Sequence, residues 1–128
     1  MKKIVALLIS SVVVLTGCSS SPSATNLDSA GFADKIIETD VVTLDVRTAG
    51  EFLAGHINGA INIDVEGNTF DAEIAKLDKS KTYSVYCQSG RRSLIAVEKM
   101  ASAGFDSLFN LENGIADWST SGWPVVTS

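Results

Sequence analysis

From about residue 25 onward the chain alternates short runs of β-branched and aromatic residues with longer segments of helical periodicity. The runs VVTLDV (41–46), AINI (60–63), TYSVY (82–86) and SLFNL (107–111) have strand composition and are bounded by turn residues. Between them, 28–39, 48–55, 70–78 and 93–104 read as helices, and 113–122 holds one more short helix. In 93–104 the spacing puts Leu94, Val97 and Ala101 on one face and Glu98, Lys99 and Ser102 away from it, with Gly104 as the C-cap. Alternating β and α elements predict an α/β domain, a mostly parallel sheet covered by helices on both faces. No internal repeat is visible.

In such sheets ligands sit at the carboxyl ends of the strands. One stretch there is unlike ordinary surface or core: YCQSGRRS, 86–93. Cys87 ends an apolar run, a loop containing Gly90 follows, and a helical pattern begins at Ser93. A strand, tight loop and helix N-terminus converge their N–H groups on whatever lies inside, which makes an anion cradle. A thiol in that cradle, close to Arg91 and Arg92, is expected to have a lowered pKa and to be a thiolate at neutral pH. The Gln88-Ser89-Gly90-Arg91-Arg92 composition is that of a loop and implies an accessible sulfur. The alternative is a core cysteine buried at a strand end. Gly90 suits close backbone approach to an anion.

The N-terminus changes the setting. Lys2 and Lys3 precede an apolar run of 12 residues, Ile4 to Leu15, which fits a secretory segment and is too short for an ordinary transmembrane helix. The run ends in LTGC (15–18), which resembles the lipobox of bacterial lipoproteins; an ordinary cleaved signal peptide is the alternative. The resemblance implies removal of residues 1–17 and lipidation of Cys18. Residues 18–26 then form the anchored cysteine and a Ser-rich flexible tether, and 27–128 the domain. With Ser19 and Ser20 after Cys18 and no aspartate there, the expected location is the outer membrane facing the periplasm in a Gram-negative cell. In a Gram-positive cell it is the outer face of the plasma membrane. Cys87 is then the single thiol left in an exported chain and cannot form an intramolecular disulfide.

Charge and composition exclude other classes. The sequence carries 10 Lys and Arg against 15 Asp and Glu, and losing Lys2 and Lys3 takes the mature chain to about −7, which argues against nucleic acid binding. One histidine, His56, and no second cysteine in the domain leave little from which to build a metal site. No cofactor is indicated. Nothing in the sequence demands a dimer, and a monomer is the expectation.

Three stretches together resemble the rhodanese, or sulfurtransferase, family. CQSGRRS is similar to its active-site loop, which begins with the catalytic cysteine and runs six residues. LDVRTAGEFLAGHINGAINI (44–63) is similar to its upstream signature, and LENGIADWSTSGWPV (111–125) to its C-terminal one, with Asn113-Gly114 where many members carry two glycines. The resemblance implies a five-stranded parallel sheet of order 1-5-4-2-3 between helices, its first strand in the short TNL region. It further implies transfer of a sulfane sulfur from thiosulfate or a similar donor to a thiophilic acceptor, cyanide or a thiol, through a Cys87 persulfide. The loop amides, Arg91 and Arg92 would stabilise the anions. Arg92 is the better candidate for substrate contact, Arg91 can point into water, and both being solvated is the alternative. Gln88, Ser89, Gly90 and Ser93 complete the loop. Asp45, Arg47 and Glu51 are expected to form a structural bracket at the end of the second strand. His56 is expected to be scaffold as well, and Trp118 and Trp123 packing residues. A persulfide carrier or binding module for a protein partner is the alternative function. A cysteine phosphatase or arsenate reductase fits less well, because those enzymes place Arg six positions after Cys, where this chain has Ser93.

Overall fold

The computed structural model describes residues 23–128. The signal segment, Cys18 and most of the tether read from the sequence lie outside them. The elements are β1 (Thr25–Leu27), α1 (Ser29–Ile36), β2 (Val41–Asp45), α2 (Ala49–Ala54), β3 (Ile61–Asn62), α3 (Phe70–Ala75), β4 (Thr82–Tyr86), α4 (Arg91–Ser102), β5 (Leu108–Leu111) and α5 (Gly114–Thr120). All five strands are parallel, in the order β1-β5-β4-β2-β3. This is the sheet that the family resemblance implies, and the alternation alone gives its parallel character. β1 has three residues and is defined by pairing with β5, Leu27 opposite Leu111.

Side-chain alternation along the strands splits the core in two. Leu44, Val46, Tyr83, Val85 and Cys87 point to one face and pack with Phe70 and Ile74 of α3 and Ala96, Val97 and Met100 of α4. On the other face Tyr86 and Leu111 meet Phe32 of α1 and Ile115 and Trp118 of α5. Phe32 sits edge-on to both Tyr86 and Trp118, at centroid distances of 6.2 and 6.1 Å. Each such fully buried ring stabilises the fold by roughly 2–3 kcal/mol.

Two sequence expectations need correction. Helix α4 begins at Arg91, two residues before Ser93, so both arginines of the loop already stand on its first turn. Its buried face is Ser93, Ala96, Val97 and Met100, while Leu94 and Ile95 are about half exposed. The sequence pattern misplaces this face because a polar residue, Ser93, occupies a core position under the loop and two aliphatic residues occupy the surface. The other helices are shorter than the patterns suggest. The αR residues Ile37, Lys76 and Ser121 cap α1, α3 and α5, and Gly55 caps α2.

Candidate active site

β4 is the middle strand, and the chain leaving it forms the loop Cys87–Gly90 before entering α4. Gly90 is the N-cap residue of α4 with φ +96°, and it offers no side chain to the first-turn amides. The fold uses loop amides on the sulfur. Gly90 N–H donates to Cys87 Sγ at 3.1 Å. The thiol itself donates to Ser93 Oγ at 3.4 Å, and the Ser93 hydroxyl donates to the Gly90 carbonyl at 3.1 Å. When the sulfur ionises, that hydroxyl can turn and donate to it. Cys87 is only 1% exposed, which overturns the expectation of an accessible sulfur. The cause is strand alternation: Tyr83, Val85 and Cys87 share one face, so the thiol is the floor of the loop, and Gln88 and Ser89 are its exposed rim.

Burial raises the thiol pKa, but the Ser93 hydroxyl and the N–H groups of Ser93, Ser89 and Gly90 outweigh it, and the net direction is down. The sequence context predicts the same direction. Hydrogen bonding, more than the guanidinium groups, produces it. Alkylation by iodoacetamide should therefore rise with pH through a midpoint below the ~8.5 of a free cysteine. Ser93→Ala should move that midpoint up by about one unit, since one thiolate donor is lost. A midpoint at or above the free value in the wild type would contradict this geometry. By linkage, the fold gains stability as pH rises through the lowered thiol pKa, and the gain is complete above the unfolded value.

Two ion pairs frame the loop. Arg47, 4% exposed, donates from Nε and Nη2 to both oxygens of fully buried Asp45, from Nη2 to the Gly55 carbonyl at 2.6 Å, and from Nη1 to Gln88 Oε1 at 3.5 Å. Asn62 Nδ2 donates to the carbonyls of Asp45 and Arg47, fixing the end of β2. Glu51 pairs with Arg92: Nη1 and Nη2 donate to Oε1 and Oε2 at 2.7 and 2.8 Å. This pair holds the Glu51 carboxyl down at about 2 and raises the Arg92 guanidinium further. Asp45, Arg47 and Glu51 are therefore not one bracket. Asp45 and Arg47 are tied to each other, and Glu51 reaches across to α4. Arg91 is exposed and forms no ion pair among the described residues.

His56 is buried away from the cradle. Its ring stacks on Phe52 with centroids 3.7 Å apart, and its Nδ1–H donates to the Phe52 carbonyl at 2.8 Å. Its backbone bridges to Val126, which binds the C-terminal strap to the end of α2. Trp118 donates from Nε1 to the Pro124 carbonyl and stacks against Trp123, so both are packing residues.

Two clefts open beside the loop. One, of about 320 Å³, is lined by Glu66, Ser89, Arg91, Arg92 and Ile95. The other, of about 240 Å³, is bordered by Arg47, Glu51, Gln88, Ile115 and Val125 among others. A larger groove of about 550 Å³ runs along α3 and α4 and contains none of residues 87–92. The sequence carries no signal for Glu66 at the mouth, and the C-terminal stretch 111–125 contains Ile115 and Val125 without marking either as a mouth residue. Glu66 comes from the β3–α3 connection, Ile115 from the start of α5 and Val125 from the C-terminal segment, and only the folded chain brings them to the loop.

The loop is clamped from below by the start of α5. Ile115 N–H donates to the Cys87 carbonyl at 2.9 Å and Ala116 N–H to the Gln88 carbonyl at 3.1 Å. Gly114 has φ +70°, and a Cβ there would overlap the Gln88 carbonyl. Asn113 has φ −104° and needs no left-handed tolerance. The glycine that matters in this pair is the second.

The fold is a parallel α/β sheet that presents a hydrogen-bonded cysteine at the carboxyl end of its middle strand. The chain belongs to the rhodanese-like domain family, which matches residues 28–121. A sulfurtransferase of Allochromatium vinosum is 29% identical over 101 residues, covering 78% of this chain and 92% of that protein. Thiosulfate sulfurtransferase 16 of Arabidopsis thaliana chloroplasts is 33% identical over 92 residues, 64% of this chain and 77% of that one. The solution structure of the rhodanese-like domain of an Anabaena protein superposes with a TM-score of 0.71 at 28% identity, covering 84% of this chain and 80% of that domain.

Proposed function

We propose that the protein is a thiosulfate sulfurtransferase working through a Cys87 persulfide. The observation that carries this reading is the sulfur itself, held by the Gly90 N–H and Ser93 at the floor of an amide-lined loop. The Cys87 thiolate attacks the outer sulfur of thiosulfate. A bond forms between the two sulfurs, the S–S bond of the donor breaks, and sulfite leaves with the electron pair. The negative charge then rests on the outer persulfide sulfur, within reach of the loop amides that stabilised the thiolate. No general base is required when the thiol is already ionised, the form that the Ser93 hydroxyl and the loop N–H groups favour. Attack on the outer sulfur by cyanide carbon or by an acceptor thiolate makes the new bond and returns the Cys87 thiolate. The similarity to named sulfurtransferases supports the reaction class, and thiosulfate as donor is the finer part of the proposal.

Turnover distinguishes this from a carrier that hands its sulfur to a protein. With thiosulfate and excess cyanide, many thiocyanates per protein are expected. A single stoichiometric release that then stops would favour the carrier.

The export proposal rests on Lys2, Lys3, the apolar run and LTGC. Lipidated Cys18 would anchor the domain to the cell envelope, outside the cytoplasm. Cys18→Ala is expected to move the protein out of the membrane fraction and abolish lipid labelling. Unchanged fractionation and labelling would refute the anchor.

A further inference from the structure

Three guanidinium groups border the loop, and two of them are already neutralised by carboxylates of the same chain. Arg47 is matched by Asp45 and Arg92 by Glu51. Only Arg91 is without an ion pair among the described residues, and it shares its cleft with Glu66. The Glu51 carboxylate is also fixed from behind. Thr48 Oγ1 donates to Oε1 at 3.1 Å, and the Thr48 side chain accepts from Glu51 N–H, a capping box that starts α2. Arg92 is thus held at both ends, by its place on the first turn of α4 and by a carboxylate built into another helix.

We propose that Glu51 is a positioning residue that sets donor specificity: by binding Arg92 bidentately it cancels that charge, leaving a loop suited to monoanionic sulfane-sulfur donors as much as to the thiosulfate dianion. The inference rests on the sulfurtransferase reading for its substrate and on geometry for its mechanism. A guanidinium has five N–H donors, and the carboxylate takes one from each Nη. Arg92 can still direct a hydrogen bond into the mouth while contributing no net charge. Its location fits this role, because Arg92 lines one cleft and Glu51 the other, so the pair stands between the two openings. The single negative charge that develops on sulfur is met by amide dipoles, the two paired guanidinium groups add no net charge for a second, and Arg91 shares its cleft with Glu66.

A charge series tests it. Relative to the wild type, Glu51→Gln adds one positive charge, Arg92→Gln adds one negative charge, and the double variant restores balance. Glu66, Asp45, Arg47 and Arg91 face the site identically in all four proteins and drop out of the comparison. The Glu51→Gln side chain keeps an Oε1 for Thr48, so the helix start is retained. Two quantities are read: the pH midpoint of Cys87 alkylation, and the ratio of kcat/KM for thiosulfate to that for methanethiosulfonate, a monoanionic donor. Glu51→Gln is expected to lower the midpoint by about one unit and raise the ratio roughly fivefold. Arg92→Gln is expected to do the reverse, and the double variant to lie near wild type in both. Arg92→Lys, which keeps the charge and loses the bidentate grip, should leave the midpoint near wild type. If the pair is only a brace, both single variants and the double will shift the same way or not at all, and the proposal fails. The alkylation midpoint needs no sulfur transfer, so it tests the charge-setting role even if thiosulfate proves not to be a donor.

Discussion

Cys87→Ser is expected to reduce thiocyanate formation from thiosulfate and cyanide by on the order of a thousandfold or more, because it removes the atom on which the proposed persulfide forms. A serine hydroxyl stays protonated at neutral pH and cannot form a persulfide. The fold should survive the change. At 1% exposure the new oxygen sits where Sγ was, able to accept from Gly90 N–H and to exchange a hydrogen bond with Ser93. The melting temperature should therefore stay within about 5 °C of wild type. Colorimetric thiocyanate assay beside a circular dichroism melt checks both halves. Thiocyanate at the wild-type rate from a folded Cys87→Ser protein would rule the persulfide out.

The second large effect comes from a residue that touches no substrate. Gly114→Ala should destabilise the domain by about 3 kcal/mol and largely abolish sulfur transfer. An alanine at φ +70° carries the left-handed backbone penalty, about 1–2 kcal/mol. Its Cβ would also overlap the Gln88 carbonyl and lie 2.5 Å from Ser89 N, so the Cys87–Gly90 loop must move. That displacement pulls on the carbonyls of Cys87 and Gln88, which α5 holds through Ile115 and Ala116 N–H. Gly122→Ala is the control. It has φ +87° with nothing within 4 Å of the added Cβ, so it should lose only the backbone contribution and keep its activity. Urea unfolding of both variants separates the contributions. Equal losses in the two would mean that loop contact at Gly114 is unimportant.

These residues show what a linear pattern reveals. β2, β4 and β5 were legible because buried parallel strands are β-branched runs bounded by turns. The AINI run also marked a strand, though β3 keeps only Ile61 and Asn62. β1 was not legible from its residues, since three positions carry no periodicity and exist as a strand only through β5. Cys87 and its glycine loop were legible as an anion cradle, because a strand end followed by a helix start is a local feature. Its burial was missed: loop composition described Gln88 and Ser89, while the strand's alternation determined the cysteine. The pattern around β2 suggested one structural bracket, and the folded chain contains two ion pairs instead. Glu51 and Arg92 are 41 positions apart, and nothing local in either segment names its partner. Likewise Ser93 looked like the first residue of a helix and is in fact its buried polar contact to sulfur.

In the proposed mechanism, the amide-held sulfur behind the ion pair at the loop mouth stores one sulfur atom at a time. Its most direct test is the intact mass of the purified wild-type domain after incubation with thiosulfate and removal of excess donor. The expected result is a gain of one sulfur atom on Cys87, lost again on addition of cyanide. An unchanged mass, in protein whose Cys87 still alkylates, would contradict thiosulfate loading.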